Sequence, residues 1–267
     1  MARYEVRAYN TATQSDNKIH DDAVASRLGF SGGLVPGVDV YAYLCHGPAA
    51  RWGLEWLECG TMQARFHSPV YDGEVVAVET TESPDGSMTL ELTDPRGTCC
   101  ATATASVNGS RPPVELLPLT SPPRRDERPA ASPEVLAPGT VLGHLDVGFH
   151  AEHAGAYLAD VREDLPLFRD EGVAHPGWLL RQANYVLTAN ARLGPWIHVE
   201  SECTHLGLVV DGDRMTVRGR VEREYERKGH RFVELAVQWI VDDVAVMVAR
   251  HVAIYEPRGV SAAGSGR

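Results

Sequence analysis

Two hydrophobic periodicities alternate along this chain. In Val75-Val76-Ala77-Val78-Glu79-Thr80-Thr81 and in Met88-Thr89-Leu90-Glu91-Leu92-Thr93, apolar and polar positions alternate as in strands of a sheet covered on one face. Ahead of them the pattern predicts a strand from Tyr4 to Tyr9, a short helix from Asp21 to Leu28, a glycine turn and a longer helix from Val38 to Trp52. Strands are predicted at Thr61 to Ser68, Gly73 to Glu82, Ser87 to Thr93 and Cys99 to Val107.

The pattern then breaks and restarts. From Asn108 to Gly139 the chain is rich in Pro, Ser, Arg and Glu, a composition that predicts an extended, poorly packed connector. Beyond it come a strand from Val141 to Val147, a helix from Ala151 to Val161 and a long apolar helix from Trp178 to Leu193. Strands follow at Ile197 to Val210, Arg214 to Glu224, Phe232 to Val241 and Val244 to Tyr255. Val35-Pro36-Gly37 is echoed by His175-Pro176-Gly177, and Pro69-Val70-Tyr71-Asp72-Gly73-Glu74 by Leu208-Val209-Val210-Asp211-Gly212-Asp213, at a spacing of about 139 to 140 residues. Two echoes in matching order indicate a duplication. The expected organisation is a first domain over 1–107, a connector over 108–139, a second domain over 140–257 and a disordered tail over 258–267.

Composition narrows the function classes. The 267 residues are 43% hydrophobic, enough to fill two cores, and 25 basic against 36 acidic residues leave a net charge of −11. That charge argues against a nucleic-acid or anionic-membrane surface and leaves small ligands open. With no apolar stretch of membrane length and no signal-peptide core at Met1 to Glu5, a cytoplasmic location is expected. Cys45, Cys59, Cys99, Cys100 and Cys203 show no Cys-x-x-Cys spacing and read as core thiols. His150, His153 and His175 lack convergent ligand spacing, so neither a metal nor a cofactor is expected.

The chemistry concentrates in Ser15-Asp16-Asn17-Lys18-Ile19-His20, followed by Gly32-Gly33-Leu34-Val35-Pro36-Gly37 and an apolar helix. A histidine can move a proton. A glycine at a helix N-terminus presents its N–H to a carbonyl oxygen, with the favourable end of the helix dipole behind it. Taken alone, His20-Asp21-Asp22 also fits a helix cap, and Pro36-Gly37 a plain turn.

Asn17-Lys18-Ile19-His20-Asp21-Asp22-Ala23-Val24-Ala25, then Gly29-Phe30, then Val35-Pro36-Gly37, resembles the MaoC-like (R-specific enoyl-CoA) hydratase and dehydratase family. A long helix followed by four strands, occurring twice, resembles its α+β double hotdog fold, two antiparallel sheets each wrapped around a long central helix. The resemblance implies an acyl-thioester lyase that hydrates or dehydrates a 2-enoyl/3-hydroxyacyl thioester carried by CoA or an acyl carrier. It places the family's Asn on Asn17, its catalytic His on His20 and its final Gly on Gly37. The family's Gly and catalytic Asp fall on Gln14 and Ser15, and its Pro on Lys18. The implied catalytic set is therefore His20, Asn17, Ser15 and Asp16, the last offering a carboxylate one residue late. Gly37, Val35, Asp39 and Tyr41 are the candidates for holding the substrate carbonyl. In the second half Phe168 falls where the histidine would be, so that half is expected to supply scaffold and tunnel wall.

Two other readings stand beside the lyase. One is a non-hydrating hotdog protein that binds an acyl or polyketide-like ligand, with the lost Asp as its reason. The other is a thioesterase using Asp39, which as a first-turn acid also simply complements the helix dipole. Tyr41, Tyr43 and His46 fit core positions, His67 and His205 surface or tunnel-lining ones, and Arg65 a solvated strand. A double hotdog satisfies internally the helix pairing that single hotdogs obtain by dimerising, and a two-fold homodimer of the whole chain is compatible with it.

Overall fold

The computed structural model describes residues 2–13, 15–27, 29–107, 109 and 113–258. The first half contains β1 (Ala2–Arg7), a 3-10 turn (Lys18–His20), α1 (Asp22–Arg27), α2 (Gly37–Cys59), β2 (Gly60–Phe66), β3 (Val75–Glu82), β4 (Met88–Thr93) and β5 (Cys99–Val107). The second contains β6 (Val141–Gly148), α3 (Ala151–Asp160), α4 (Leu167–Asp170), α5 (Pro176–Asn190), β7 (Ile197–His205), β8 (Arg214–Arg227), β9 (His230–Val241) and β10 (Val244–Glu256). Gln14 and Leu28, the start of the expected connector and the tail from 259 lie outside the described residues.

The strands form one ten-stranded sheet in the order β1-β3-β4-β5-β2-β7-β10-β9-β8-β6, a sequence that reads equivalently from either end once the second half is laid on the first. Two separate sheets were expected. Instead β2 and β7 pair antiparallel at the centre, Met62 opposite Cys203 and Ala64 opposite Ser201, so the half-sheets share their hydrogen-bond ladder. Both edges that would otherwise sit exposed are thereby satisfied.

The duplication extends to individual bonds. Val35 N–H donates to Val70 O at 2.9 Å, and Ala174 N–H to Val209 O at 2.9 Å. Asp72 accepts from Asn10 N–H at 2.8 Å, and Asp211 accepts from Ala151 N–H at 2.8 Å. Each aspartate precedes a left-handed glycine, Gly73 (φ 78°) and Gly212 (φ 92°), a conformation that favours glycine. The Pro-Gly echo, in contrast, is displaced by one residue: the N-caps are Pro36 and His175, so Gly37 corresponds to Pro176. The register around His20 also shifts. Leu34 N–H donates to Ile19 O and Val173 N–H donates to Phe168 O, and the turns start after Asn17 and Pro166. Phe168 therefore takes the place of buried Ile19, and Arg169, not Phe168, stands where His20 does.

The eight residues Val38 to Cys45 at the start of α2 are all buried. A helix start buried on every side, with Asp39 as its one charged member, belongs to the core and is enclosed rather than laid on a surface. The helix leaves helical geometry at Gly53 (φ 56°, ψ −136°), just past the expected end at Trp52, and a further helical segment that buries Trp56 and Leu57 runs on to Cys59. By contrast α5 is amphipathic, burying Leu179, Leu180, Ala183, Val186 and Leu187. The two helices approach closely at Gly177, where an added Cβ would lie 2.5 Å from Tyr157 Oη and 2.6 Å from Ala42 Cβ.

The connector is docked, contrary to its composition. Leu117 and Leu136 are buried, Leu117 N–H donates to Gln238 Oε1 at 2.8 Å, and Gln238 Nε2 donates to Glu115 O at 2.9 Å. Farther on, Arg192 N–H donates to Pro129 O at 2.7 Å, and Ala131 N–H to Arg192 O at 2.9 Å. Its prolines donate nothing to a ladder, but their neighbours find enough partners to hold an extended segment in place. Among the described residues no helix is long and apolar enough to cross a membrane.

Candidate active site

Asn17 organises the motif. It caps the 3-10 turn, its Oδ1 accepting from Ile19 N–H at 3.3 Å. The same oxygen accepts from Trp196 N–H at 3.2 Å, while Nδ2 donates to Trp196 O at 3.0 Å. The remaining amide hydrogen faces His20 Nε2 at 3.3 Å. This buried side chain therefore has all of its principal hydrogen-bonding positions filled.

His20 is oriented from the other side. Its Nδ1 lies 2.6 Å from Leu34 O, and because a carbonyl only accepts, Nδ1 carries the proton. In the neutral ring Nε2 then holds the lone pair. Burial lowers the His20 pKa from its usual 6.5, opposed in part by the Leu34 carbonyl and by the charge of Asp39. That lone pair accepts from the Asn17 amide, and a neutral imidazole can take a proton there once this 3.3 Å contact gives way.

Among the described residues no carboxylate supports that ring directly. Asp16 does not supply one: its carboxylate pairs with Arg125 Nη2 at 2.9 Å and its side chain is 76% exposed. Neighbouring residues on extended chain point to opposite sides, so Asn17 turning inward sends Asp16 outward. Ser15 is used locally, its Oγ accepting from Asn17 N–H at 3.1 Å. Lys18, where the resembled motif has proline, donates to Ser15 O at 3.0 Å. Gln14 lies outside the described residues.

Gly37 opens α2, but its Cα is covered. A Cβ there would lie 2.8 Å from His198 Nδ1, a side chain contributed by β7 of the second half. His198 Nε2 lies 2.8 Å from Ser201 Oγ, which lies 2.9 Å from His251 Nδ1, making a buried chain of three polar side chains. Burial pushes the His251 pKa down to about 3, and burial together with the neighbouring His251 lowers His198 well below its usual 6.5. Sequence reasoning missed this group, since three residues on two strands leave no local signature.

Val35 is buried and spent on its bond to Val70. Asp39, fully buried, is saturated by Arg181 Nη2 at 2.7 Å on Oδ1 and by the Thr11 hydroxyl at 2.6 Å on Oδ2. Tyr41 is fully buried, its hydroxyl pKa raised well above 10 by that burial. The Tyr43 hydroxyl accepts from Tyr9 N–H at 3.1 Å. His205 is core rather than surface or tunnel lining, packed edge-on against Trp56 with its pKa pushed down to about 4 by burial. Exposed His67 bonds Thr102 at 2.9 Å, and exposed Arg65 pairs with Glu200 at 3.2 Å.

A separate buried cluster joins the halves. His46 Nδ1 lies 3.0 Å from Glu163 Oε1, His175 Nε2 lies 3.6 Å from Glu163 Oε2, and Tyr4 stacks on His46 at 3.7 Å. Burial alone would raise the Glu163 pKa, but His175 and His46 outweigh it and hold it at about 2. Asp164 completes a group with metal-ligand spacing, His46, Glu163 and Asp164, whose inner contact is already the His46–Glu163 ion pair.

Beside the motif lies a cavity of about 710 Å³. Its walls come from Thr11, Ala12 and residues 15–17, from Pro36 and Val38 at the start of α2, from the polar face of α5 (Arg181, Asn184, Tyr185, Thr188), from residues 191–194 and from Trp196, with His20 and Gly37 set behind them rather than in the wall. Asn17 stands in the wall. The volume falls in the range of small-molecule sites.

No family model matches the chain, and no curated protein matches it in sequence. Solved structures do. One described as a MaoC-like dehydratase superposes with a TM-score of 0.63 at 13% identity, covering 95% of this chain and 98% of that one. Rv0216 of Mycobacterium tuberculosis, described as a double hotdog, gives 0.56 at 14% identity over 95% and 96%. A thioesterase candidate from Novosphingobium aromaticivorans gives 0.56 at 12% identity over 96% of both chains. At these identities what is shared is the fold: the chain is a double hotdog.

Proposed function

From a double hotdog shared with proteins described as dehydratases and thioesterases, we propose an acyl-thioester lyase that hydrates or dehydrates a 2-enoyl/3-hydroxyacyl thioester at the first-half motif. The observation that carries this reading is His20 itself, held by Leu34 O with the proton on Nδ1 and the lone pair on Nε2. In the hydration direction, His20 Nε2 takes a proton from water as its oxygen bonds to C3 of the enoyl group. The C2–C3 π electrons move towards the thioester, giving an enolate stabilised at the N-terminus of α2, and the resulting imidazolium returns the proton to C2. One histidine thus serves as base and then acid, which suits a site without a supporting carboxylate. Asn17 positions the ring and offers an amide beside its Nε2.

The test is a panel of 2-enoyl-CoA substrates followed at the enone absorbance, with wild type and His20→Ala. Hydration lost by about 10²-fold or more in the variant supports the assignment. No hydration of any member, or an activity indifferent to His20, overturns it.

A second reading has its own observation. Asp16 faces Arg125 and leaves His20 without a carboxylate, which favours a non-hydrating protein that binds an acyl or polyketide-like ligand. Mass spectrometry of a co-purified ligand, with no turnover in the panel, would select it. The thioesterase reading finds no such support, because both oxygens of Asp39 are engaged.

A further inference from the structure

Four arginines line the cavity, Arg125, Arg128, Arg181 and Arg192, against a single lining carboxylate, Asp16. This is a cationic hollow in a chain of net charge −11. Arg181 is neutralised by buried Asp39. Arg128 donates only to backbone carbonyls, Arg125 O at 3.0 Å and Thr188 O at 2.6 Å, and Arg192 donates to Arg128 O at 3.3 Å. Among the described residues neither has a carboxylate at ion-pair distance. The docked connector places two of these arginines, and the Arg192–Pro129 and Ala131–Arg192 backbone bonds fix the third beside them. A second hollow of about 350 Å³ continues past the same Asp16, Arg125, Arg128 and Tyr185. It extends the site along the protein surface.

We propose that Arg125, Arg128 and Arg192 bind a phosphate of the thioester's carrier, and that Asp16, paired with Arg125, holds that arginine as an internal anion until the ligand displaces it. The inference rests on the acyl-thioester reading for the identity of the carrier, and it gives Asp16 a role other than catalysis. A phosphate suits the cluster because guanidinium groups donate in pairs to its oxygens and retain their charge at every physiological pH. Displacing Asp16 is easy. The Asp16–Arg125 pair is 76% and 78% exposed, so solvent screens it and little stability is lost when it opens. A phosphate monoester, or the paired charges of a pyrophosphate, then attracts the three arginines more strongly than one carboxylate does.

Isothermal titration of the full chain at low ionic strength, with coenzyme A and with inorganic pyrophosphate as probes, tests this without turnover. Wild type should bind both, Arg125→Ala/Arg192→Ala should bind about tenfold or more weakly, and Asp16→Asn should bind several-fold more tightly. A gain of affinity cannot come from misfolding, and neither arginine in the double variant is buried. Failure of both probes to bind wild type, an unchanged affinity in the double arginine variant, or unchanged or weaker binding by Asp16→Asn overturns the proposal. Arginine-dependent binding by a protein that hydrates no enoyl thioester would remove the lyase reading and leave the phosphate site standing.

Discussion

Asn17 and Trp196 are joined by a reciprocal pair of hydrogen bonds, side-chain amide to main-chain N–H and C=O, at 3.2 and 3.0 Å. A residue of the first-half motif is thereby bonded to the segment just before β7. The duplicated halves are coupled at the candidate site as well as through their sheet.

Replacing Asn17 by Ala removes the turn cap and strands both Trp196 groups in a buried place. The expected cost is about 2–3 kcal/mol, read as a lower urea midpoint at unchanged m. Asn17→Asp should also raise the His20 pKa by placing a negative charge beside Nε2, visible in an NMR titration of the ring. A His20 pKa that fell would contradict the geometry described for this pair.

The lyase reading has a definite pH signature. His20 must be neutral to take a proton, and burial lowers its pKa below 6.5. The limb of kcat/KM assigned to this base should therefore lie below pH 6.5, with the rate flat across neutrality and falling tenfold per unit at acid pH. An inflection above 6.5 that vanishes in His20→Gln would contradict the buried, Leu34-bonded ring.

The glycines at the two helix starts are steric requirements. Gly37→Ala drives a methyl to 2.8 Å from His198 Nδ1, and Gly177→Ala drives one to 2.6 Å from Ala42 Cβ. Each should destabilise by about 1–3 kcal/mol, Gly177→Ala more, because its obstacles include the facing helix and not only one ring. Thermal melts of both variants rank them, and Gly37→Ala with His198→Ala should recover part of the loss.

Acid should unfold the protein early. His205 and His251 have folded pKa values of about 4 and about 3, below the ordinary 6.5, so the unfolded chain binds protons more readily. Their stabilisation is complete above pH 6.5 and falls as pH drops towards those folded values, by about 2 kcal/mol each at pH 5. Glu163, held at about 2, adds stability above its ordinary 4.5 that fades between 4.5 and 2. Denaturation curves from pH 7.5 to 4.5 should show a continuous decline, steepening at the end. His251→Asn should reduce the slope, and an unchanged slope would show that this ring does not titrate in that range.

The Arg181–Asp39 pair makes a contrast with the exposed Asp16–Arg125 pair. Arg181→Met leaves a fully buried carboxylate with only Thr11 and should cost about 3–5 kcal/mol, whereas Arg125→Ala should cost about 0–1 kcal/mol. Chemical denaturation of the two single variants separates them, and equal losses would contradict the burial described for Asp39.

What the sequence determined by itself is whatever local pattern controls: the order of the strands and of the longer helices, without the short turns at Lys18–His20 and Leu167–Asp170, and the repeated Asp-Gly turn at Gly73 and Gly212. Backbone sterics and hydrophobic period act between near neighbours, so these features are legible in one dimension. Even there the repeat register around Phe168 slipped by one residue, because identity at a single position cannot set alignment where hydrogen bonds can. Tertiary structure alone decided the rest. Whether Asp16 meets His20 depended on which way a side chain leaves an extended segment and on an arginine in the connector. The docking of that connector depended on buried Leu117 and Leu136 and on Gln238, a partner more than a hundred residues away. His198 reached Gly37 because β2 and β7 chose to pair, bringing the second half against the first. Pairing of that kind is set by the free energy of the whole assembled sheet and its two buried helices, and no short window of sequence contains it.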